Sequence, residues 1–180
     1  MDITALSKFL SYVLRHHPED IGLELDGNGW AEVSELIKKA HDKGRKLDRD
    51  VIQQIMQNSS KQRFILSSDG KYIRAGYGHS IEVDLQLQSK APPEKLYHGT
   101  TRDSTASILD EGIQARSRNF VHLSATADEA RNVGGRHGKP EILLVLAGQM
   151  SRQGYDFYQS ESEDSIWLTS YVPPQYVTKL

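Results

Sequence analysis

The sequence contains no cysteine, so neither a disulfide nor a thiolate metal site is open to it, and a reducing compartment suits it. No apolar run approaches the roughly 20 residues that a membrane helix needs. Met1-Asp2-Ile3-Thr4 lacks a basic stretch leading into an apolar one, which predicts a soluble, unexported, cytoplasmic protein. Charge of one sign is missing too. With 22 Lys and Arg against 24 Asp and Glu, the net charge is -2, which excludes a broad cationic coat for nonspecific nucleic-acid binding. Internal repeats and low-complexity segments are absent. Among nucleotide signatures, Gly134-Gly135-Arg136-His137-Gly138 lacks the Gly-x-Gly-x-x-Gly spacing, and no Walker pattern occurs. No two histidines stand four apart on a helix, so a metal-free mechanism is the economical expectation.

What is present divides into two halves with different periods. Leu6, Phe9, Leu10, Val13 and Leu14 recur at helical spacing, and the helix should stop around His16-His17-Pro18, because the residue before proline avoids the α region. Val33, Leu36, Ile37 and Ala40 mark a second helix ending near Gly44. Asp48 caps a third through Val51, Ile52, Ile55 and Met56. Phe64-Ile65-Leu66-Ser67 and Tyr72-Ile73-Arg74-Ala75 read as strands joined by a turn containing Asp69-Gly70. Three helices and a hairpin describe a winged-helix lobe, placed here at residues 1–78.

Residues 79–93 read as a connecting segment ending in Ala91-Pro92-Pro93, although alternation of Val83, Leu85 and Leu87 allows a strand there. The half at 94–180 is β-rich. It starts with Leu96-Tyr97-His98 and passes through a helix from Ser104 to Glu111 closed by Gly112. Val121-His122-Leu123-Ser124 follows, then a short helix for which Thr126 and Glu129 have capping-box spacing. Ile142 to Leu146 is a buried strand by composition. Tyr155 to Tyr158, Ser165 to Thr169 and Tyr176 to Thr178 supply more. The fold class expected is α+β. Trp30 and Trp167 read as core residues.

Two segments set histidine beside hydroxyls at strand ends: Tyr97-His98-Gly99-Thr100-Thr101 and Val121-His122-Leu123-Ser124. On neighbouring strands, with a glycine that admits close backbone approach, they suit the amide and ribose of a nicotinamide nucleotide. Taken singly, a strand-end histidine is more often an ordinary satisfied residue than a ligand-binding one. Arg116, Arg118, Arg131, Arg136 and Lys139 against Asp128 and Glu129 permit a focused anion site, or simply a solvated charged surface. Arg15, Arg63 and Arg118 offer bidentate forks that would immobilise a phosphate if they met. Alone, Arg15 reads as a helix-end cation favoured by the dipole, His16 as a stop residue, and Arg63 and Arg118 as flanking surface groups.

In order along the chain, Leu14-Arg15-His16-His17-Pro18, Lys61-Gln62-Arg63-Phe64, Tyr97-His98-Gly99-Thr100, Val121-His122-Leu123-Ser124 and Val133 to Pro140 resemble the NAD-dependent RNA 2′-phosphotransferase family. The match spans nearly the whole chain. It implies an N-terminal winged-helix lobe joined to a C-terminal ADP-ribosyltransferase-like lobe that binds NAD. The partner would be RNA with an internal 2′-phosphate, such as a tRNA splice junction, with no metal, membrane or obligate protein partner. The implied reaction passes through a 2′-phospho-ADP-ribosylated RNA intermediate to 2′-OH RNA, nicotinamide and ADP-ribose 1″,2″-cyclic phosphate.

By the same resemblance Arg15, His16, Arg63 and Arg118 are the catalytic set. His98, Gly99 and Thr100 would hold the nicotinamide riboside with His122 and Ser124. Thr101, Gly134, Arg136 and His137 would hold the ADP part, with backbone donors from the helix beginning at Ser104. Protein-modifying ADP-ribosyltransferases place a glutamate on a late strand where this chain has Ile166, which weakens that reading. The alternative within reach is an ADP-ribosyltransferase that stops after the first step and caps phosphorylated nucleic-acid ends. A further one is a non-catalytic winged-helix binder, poorly supported by the near-neutral charge. One departure stands out: family members often carry His before Val-His-Leu-Ser, and this chain has Phe120.

Overall fold

Helix α1 (Ile3–Arg15) forms because Leu6, Leu10, Val13 and Leu14 fall on one face, and all four are buried. The Asp2 carboxylate accepts from the Ala5 N–H at 3.0 Å, satisfying one of the unpaired donors of the first turn. The helix ends at Arg15 with His16 as its C-cap, where the approach to Pro18 requires it to stop. The computed structural model describes residues 1–136 and 138–180.

Strand β1 (Ala31–Glu32) leads directly into helix α2 (Val33–Asp42). Helix α3 (Arg49–Asn58) is capped by Asp48, whose carboxylate accepts from Val51 N–H at 2.8 Å. Strands β2 (Phe64–Leu66) and β3 (Tyr72–Ala75) form the expected antiparallel hairpin, with Leu66 opposite Ile73. β1 adds to the other side of β3, giving the sheet order β1-β3-β2. Helices and sheet share one core. Leu10, Leu14, Leu36, Ile52, Ile55 and Ile73 are at most 2% exposed, and burying each such side chain contributes about 1.5–3 kcal/mol.

These elements belong to a first unit of residues Met1–Gln86 joined by Glu161–Glu163. Residues 76 to 86 run as irregular chain. Val83, Leu85 and Leu87 do alternate in burial, but no strand forms there: the alternation reflects one side facing protein, without a ladder partner, and Gln86 has φ +56°. The late acidic residues Glu161 and Glu163 complete this unit. Glu161 pairs with Arg74, and the Glu163 carboxylate accepts from Gln62 N–H at 3.0 Å. Trp30, expected in the core, stays partly exposed because its ring covers the buried Arg74 guanidinium, 4.5 Å away.

The second unit, Leu87–Ser160 with Asp164–Leu180, comprises β4 (Leu96–Thr101), α4 (Arg102–Glu111), β5 (Ile113–Gln114), β6 (Val121–Ser124), α5 (Ala127–Gly134), β7 (Pro140–Val145) and α6 (Ala147–Arg152). β8 (Tyr158–Gln159), β9 (Ile166–Thr169), β10 (Tyr171–Val172) and β11 (Val177–Lys179) complete it. Its main sheet is antiparallel in the order β11-β7-β4-β6-β9-β8, and β10 pairs with β5 separately. The expected strand from Tyr155 is realised only at Tyr158–Gln159, since Phe157 turns into the core, where it is 1% exposed. Leu96, Leu123, Leu143, Val145, Met150 and Trp167 surround it in that core. The whole is a mixed α+β protein with its first helices at the N-terminus and antiparallel sheets.

Candidate active site

The sheet of the second unit puts β4 beside β6, with Tyr97 opposite Ser124, so His98 and His122 lie on adjacent strands. Around them opens a cavity of about 540 Å³, within the range usual for ligand sites. β4 contributes His98, Gly99, Thr100 and Thr101 to its wall, and the β6 side contributes Phe120 and His122. Gly134 and Arg136 line it from the end of α5 onward, and Arg116 and Arg118 from the loop before β6. Ser104 and Ser107 line it from α4, whose N-cap is Thr101. The first-turn amides of a helix suit an anion.

Both ring tautomers follow from backbone. His98 Nδ1 lies 3.1 Å from the His122 carbonyl oxygen, and His122 Nδ1 lies 3.0 Å from that of Phe120. A carbonyl only accepts, so each Nδ1 carries the proton, and Nε2 is the ring atom that accepts when the ring is neutral. Burial, and then the charges of Arg116 and Arg118, hold the His98 pKa below its ordinary value, so that ring is neutral at pH 7. An acceptor nitrogen suits an amide NH₂ or a ribose hydroxyl, and the flanking arginines suit phosphates.

Gly99 is required by packing. A Cβ there would lie 1.8 Å from the Ala130 carbonyl oxygen, and one at Gly134 would lie 2.7 Å from that of Thr100. The two glycines therefore let α5 press its backbone against β4. Ser124 is buried within the sheet and is not part of the cavity wall. His137 lies outside the described residues.

In the first unit, the Arg15 guanidinium lies over the Tyr77 ring at 4.8 Å. It also packs on Gly78, which has φ +90°; a Cβ there would be 3.0 Å from Arg15 Nε. His16 Nδ1 is 2.7 Å from Ser80 Oγ. Arg63 directly precedes β2, and its carbonyl accepts from Gly76 N–H at 2.9 Å, so Arg63 and Arg15 are both tied to the stretch from Gly76 to Gly78. Among the described residues, His17, Glu19 and Asp20 are near enough to share a cation, but all three are exposed and belong to none of these groups.

The family model described as RNA 2′-phosphotransferase, Tpt1 / KptA family, matches residues 2–171. The chain belongs to this RNA 2′-phosphotransferase family. It is 48% identical over 178 residues to a probable RNA 2′-phosphotransferase of Acaryochloris marina, covering 99% of this chain and 97% of that protein. It is 49% identical over 173 residues to one of Flavobacterium johnsoniae, covering 96% and 94%. To one of Rhodopirellula baltica it is 48% identical over 177 residues, covering 98% and 95%. The protein is thus an enzyme, an RNA 2′-phosphotransferase, and among the described residues no helix is long and apolar enough to cross a membrane.

Sequence reasoning gave no individual role to several neighbours of the expected site residues. Arg116 lines the cavity with φ +56°, the left-handed region that costs a side-chain-bearing residue about 1 kcal/mol, and its charge acts on His98. The Arg116-Ser117-Arg118 spacing was the available signal. The Phe120 ring lies tilted against that of Tyr158, centroids 5.6 Å apart, while its carbonyl orients His122. Tyr77, Gly78 and Ser80 carried no signal beyond the glycine.

Proposed function

We propose that the enzyme removes an internal 2′-phosphate from RNA by transferring it to NAD. The first unit, three helices with a small antiparallel sheet, serves as a winged-helix RNA lobe, and the second as an ADP-ribosyltransferase-like NAD lobe. The observation that carries this reading is the pair of backbone-locked histidines, His98 and His122, lining a cavity flanked by Arg116, Arg118 and Arg136. His98, Gly99, Thr100 and His122 hold the nicotinamide riboside. Thr101, Gly134, Arg136 and the start of α4 hold the pyrophosphate and adenosine side. Ser124 acts by supporting β6, and His137 remains assigned to the ADP part on the family resemblance alone.

In the first step an oxygen of the RNA 2′-phosphate forms a bond to C1″ of the ribose, and the bond from C1″ to the nicotinamide nitrogen breaks, releasing neutral nicotinamide. The attacking group is already anionic, so it needs orientation more than a base. In the second step the ribose 2″-hydroxyl attacks the same phosphorus and loses its proton. The bond from phosphorus to the RNA 2′-oxygen breaks, and that oxygen gains a proton. The products are 2′-OH RNA and ADP-ribose 1″,2″-cyclic phosphate. Arg15, Arg63 and Arg118 spread the phosphate charge over fixed donors, and His16 moves the proton, since imidazole ordinarily titrates near neutrality.

The test mixes the protein with NAD and an oligonucleotide bearing one internal 2′-phosphate. Nicotinamide and 2′-OH RNA in equal amounts are expected. An ADP-ribosylated RNA that persists, with no cyclic phosphate, would instead mark an enzyme that stops after the first step.

A further inference from the structure

The carbonyl of Arg15 is among the last four of α1, which have no partner inside the helix. Ser80 N–H donates to it at 3.0 Å. Ser80 Oγ then reaches the next residue, 2.7 Å from His16 Nδ1. One serine thus holds two consecutive residues, first by backbone and then by side chain, across 64 positions of sequence. The residues just before it seat the other half of the pair, with Tyr77 under the Arg15 guanidinium and Gly78 packed against it. His79 is buried between, 3% exposed, and its burial and the nearby charges of Arg15, Arg74 and His16 push its pKa down to about 4. It therefore stays neutral and adds no charge against the two catalytic groups.

We propose that Ser80 is a positioning residue for His16: its hydroxyl accepts from Nδ1–H and so keeps Nε2 as the ring atom that exchanges protons with the reacting groups. A hydroxyl is able to donate or accept, but only one arrangement suits a proton carrier. If Oγ donated to a bare Nδ1, that bond would have to break or reverse whenever the ring became doubly protonated. When Oγ accepts from Nδ1–H, the same bond persists in the neutral and the charged ring, so Nε2 gains and loses its proton without reorientation. The inference rests on the proton-moving role given to His16 above.

The test uses full-length protein with ¹⁵N-labelled histidine, the His16 ring signals being assigned by their loss in His16→Gln. Expected is a neutral His16 with its proton on Nδ1, and a mixture of tautomers in Ser80→Ala. In turnover, Ser80→Ala is expected to lower kcat about tenfold while KM for both substrates stays within about twofold, and Ser80→Thr, which keeps the hydroxyl, to recover most of the rate. A wild-type His16 with its proton on Nε2, or wild-type kcat in Ser80→Ala, overturns the proposal. Should the alanine variant fail to fold, the wild-type tautomer alone decides. A wild-type protein with no turnover contradicts the proposed function, while the tautomer is still read from the same sample.

Discussion

The two units hold their candidate residues by different means. In the C-terminal unit, His98 and His122 are each fixed by a backbone carbonyl, so their tautomers are written into the path of the chain. In the N-terminal unit, Arg15 and His16 are fixed largely by side chains, the Tyr77 ring and the Ser80 hydroxyl. A carbonyl only accepts, whereas a hydroxyl does both. A pocket that binds one cosubstrate in one pose gains from the first arrangement. For a proton carrier, a hydroxyl that accepts from Nδ1–H keeps its bond in both charge states, as a carbonyl would, but it hangs on one side chain that a substitution removes. The difference also sets what breaks each site: a backbone shift in one, a single side-chain deletion in the other.

The backbone-held site should fail most severely when strand and helix are forced apart. Gly99→Ala brings a methyl group against the Ala130 carbonyl, and we expect a loss of about 3 kcal/mol or more from the C-terminal unit, read as a lowered midpoint in urea. Retention of the wild-type midpoint would mean that α5 does not need to approach β4 so closely.

The N-terminal unit should show a pH dependence traceable to His79. Its folded pKa of about 4 lies below its ordinary 6.5, so between those values the unfolded chain binds the proton and the folded protein does not. Stability from this group is therefore complete above about pH 6.5, declines as pH falls, and is lost by about pH 4, a change of up to about 3 kcal/mol. Among the described residues its buried Nε2 has no hydrogen-bond partner to offset this. In His79→Gln the denaturation midpoint should vary less across that window, and an unaltered profile would assign the effect elsewhere.

Arg63→Lys separates phosphate grip from scaffolding. Charge is kept and the fork is lost, so turnover should fall about 100-fold with the unfolding midpoint unchanged. Near-normal turnover would remove Arg63 from the clamp. At the small end, Asp48→Ala deletes the cap of α3 and should cost the N-terminal unit about 1 kcal/mol without touching the C-terminal one. A shift shared by both units would show that they do not unfold independently.

Much of this was legible in the sequence where local chemistry decides. Pro18 fixes the end of α1, Asp48 and Thr126 cap helices as their types predict, and the two histidine segments do lie on adjacent strands. Elements of two residues escaped, because β1, β5 and β10 are too short to show a period. Val83 to Leu87 misled for the opposite reason, alternating without a strand to pair with. In the site, Gly99 looked like room for a ligand, and its missing side chain is needed by α5. Ser80 was out of reach, since nothing near it in sequence reveals a contact with His16.

The central claim, that one phosphorus atom passes from RNA to the NAD-derived ribose, is tested most directly by labelling that atom. Given an oligonucleotide with a radioactive internal 2′-phosphate and excess NAD, the label should leave the RNA and appear in ADP-ribose 1″,2″-cyclic phosphate. Label released as inorganic phosphate, or retained on the RNA while nicotinamide accumulates, would contradict the account.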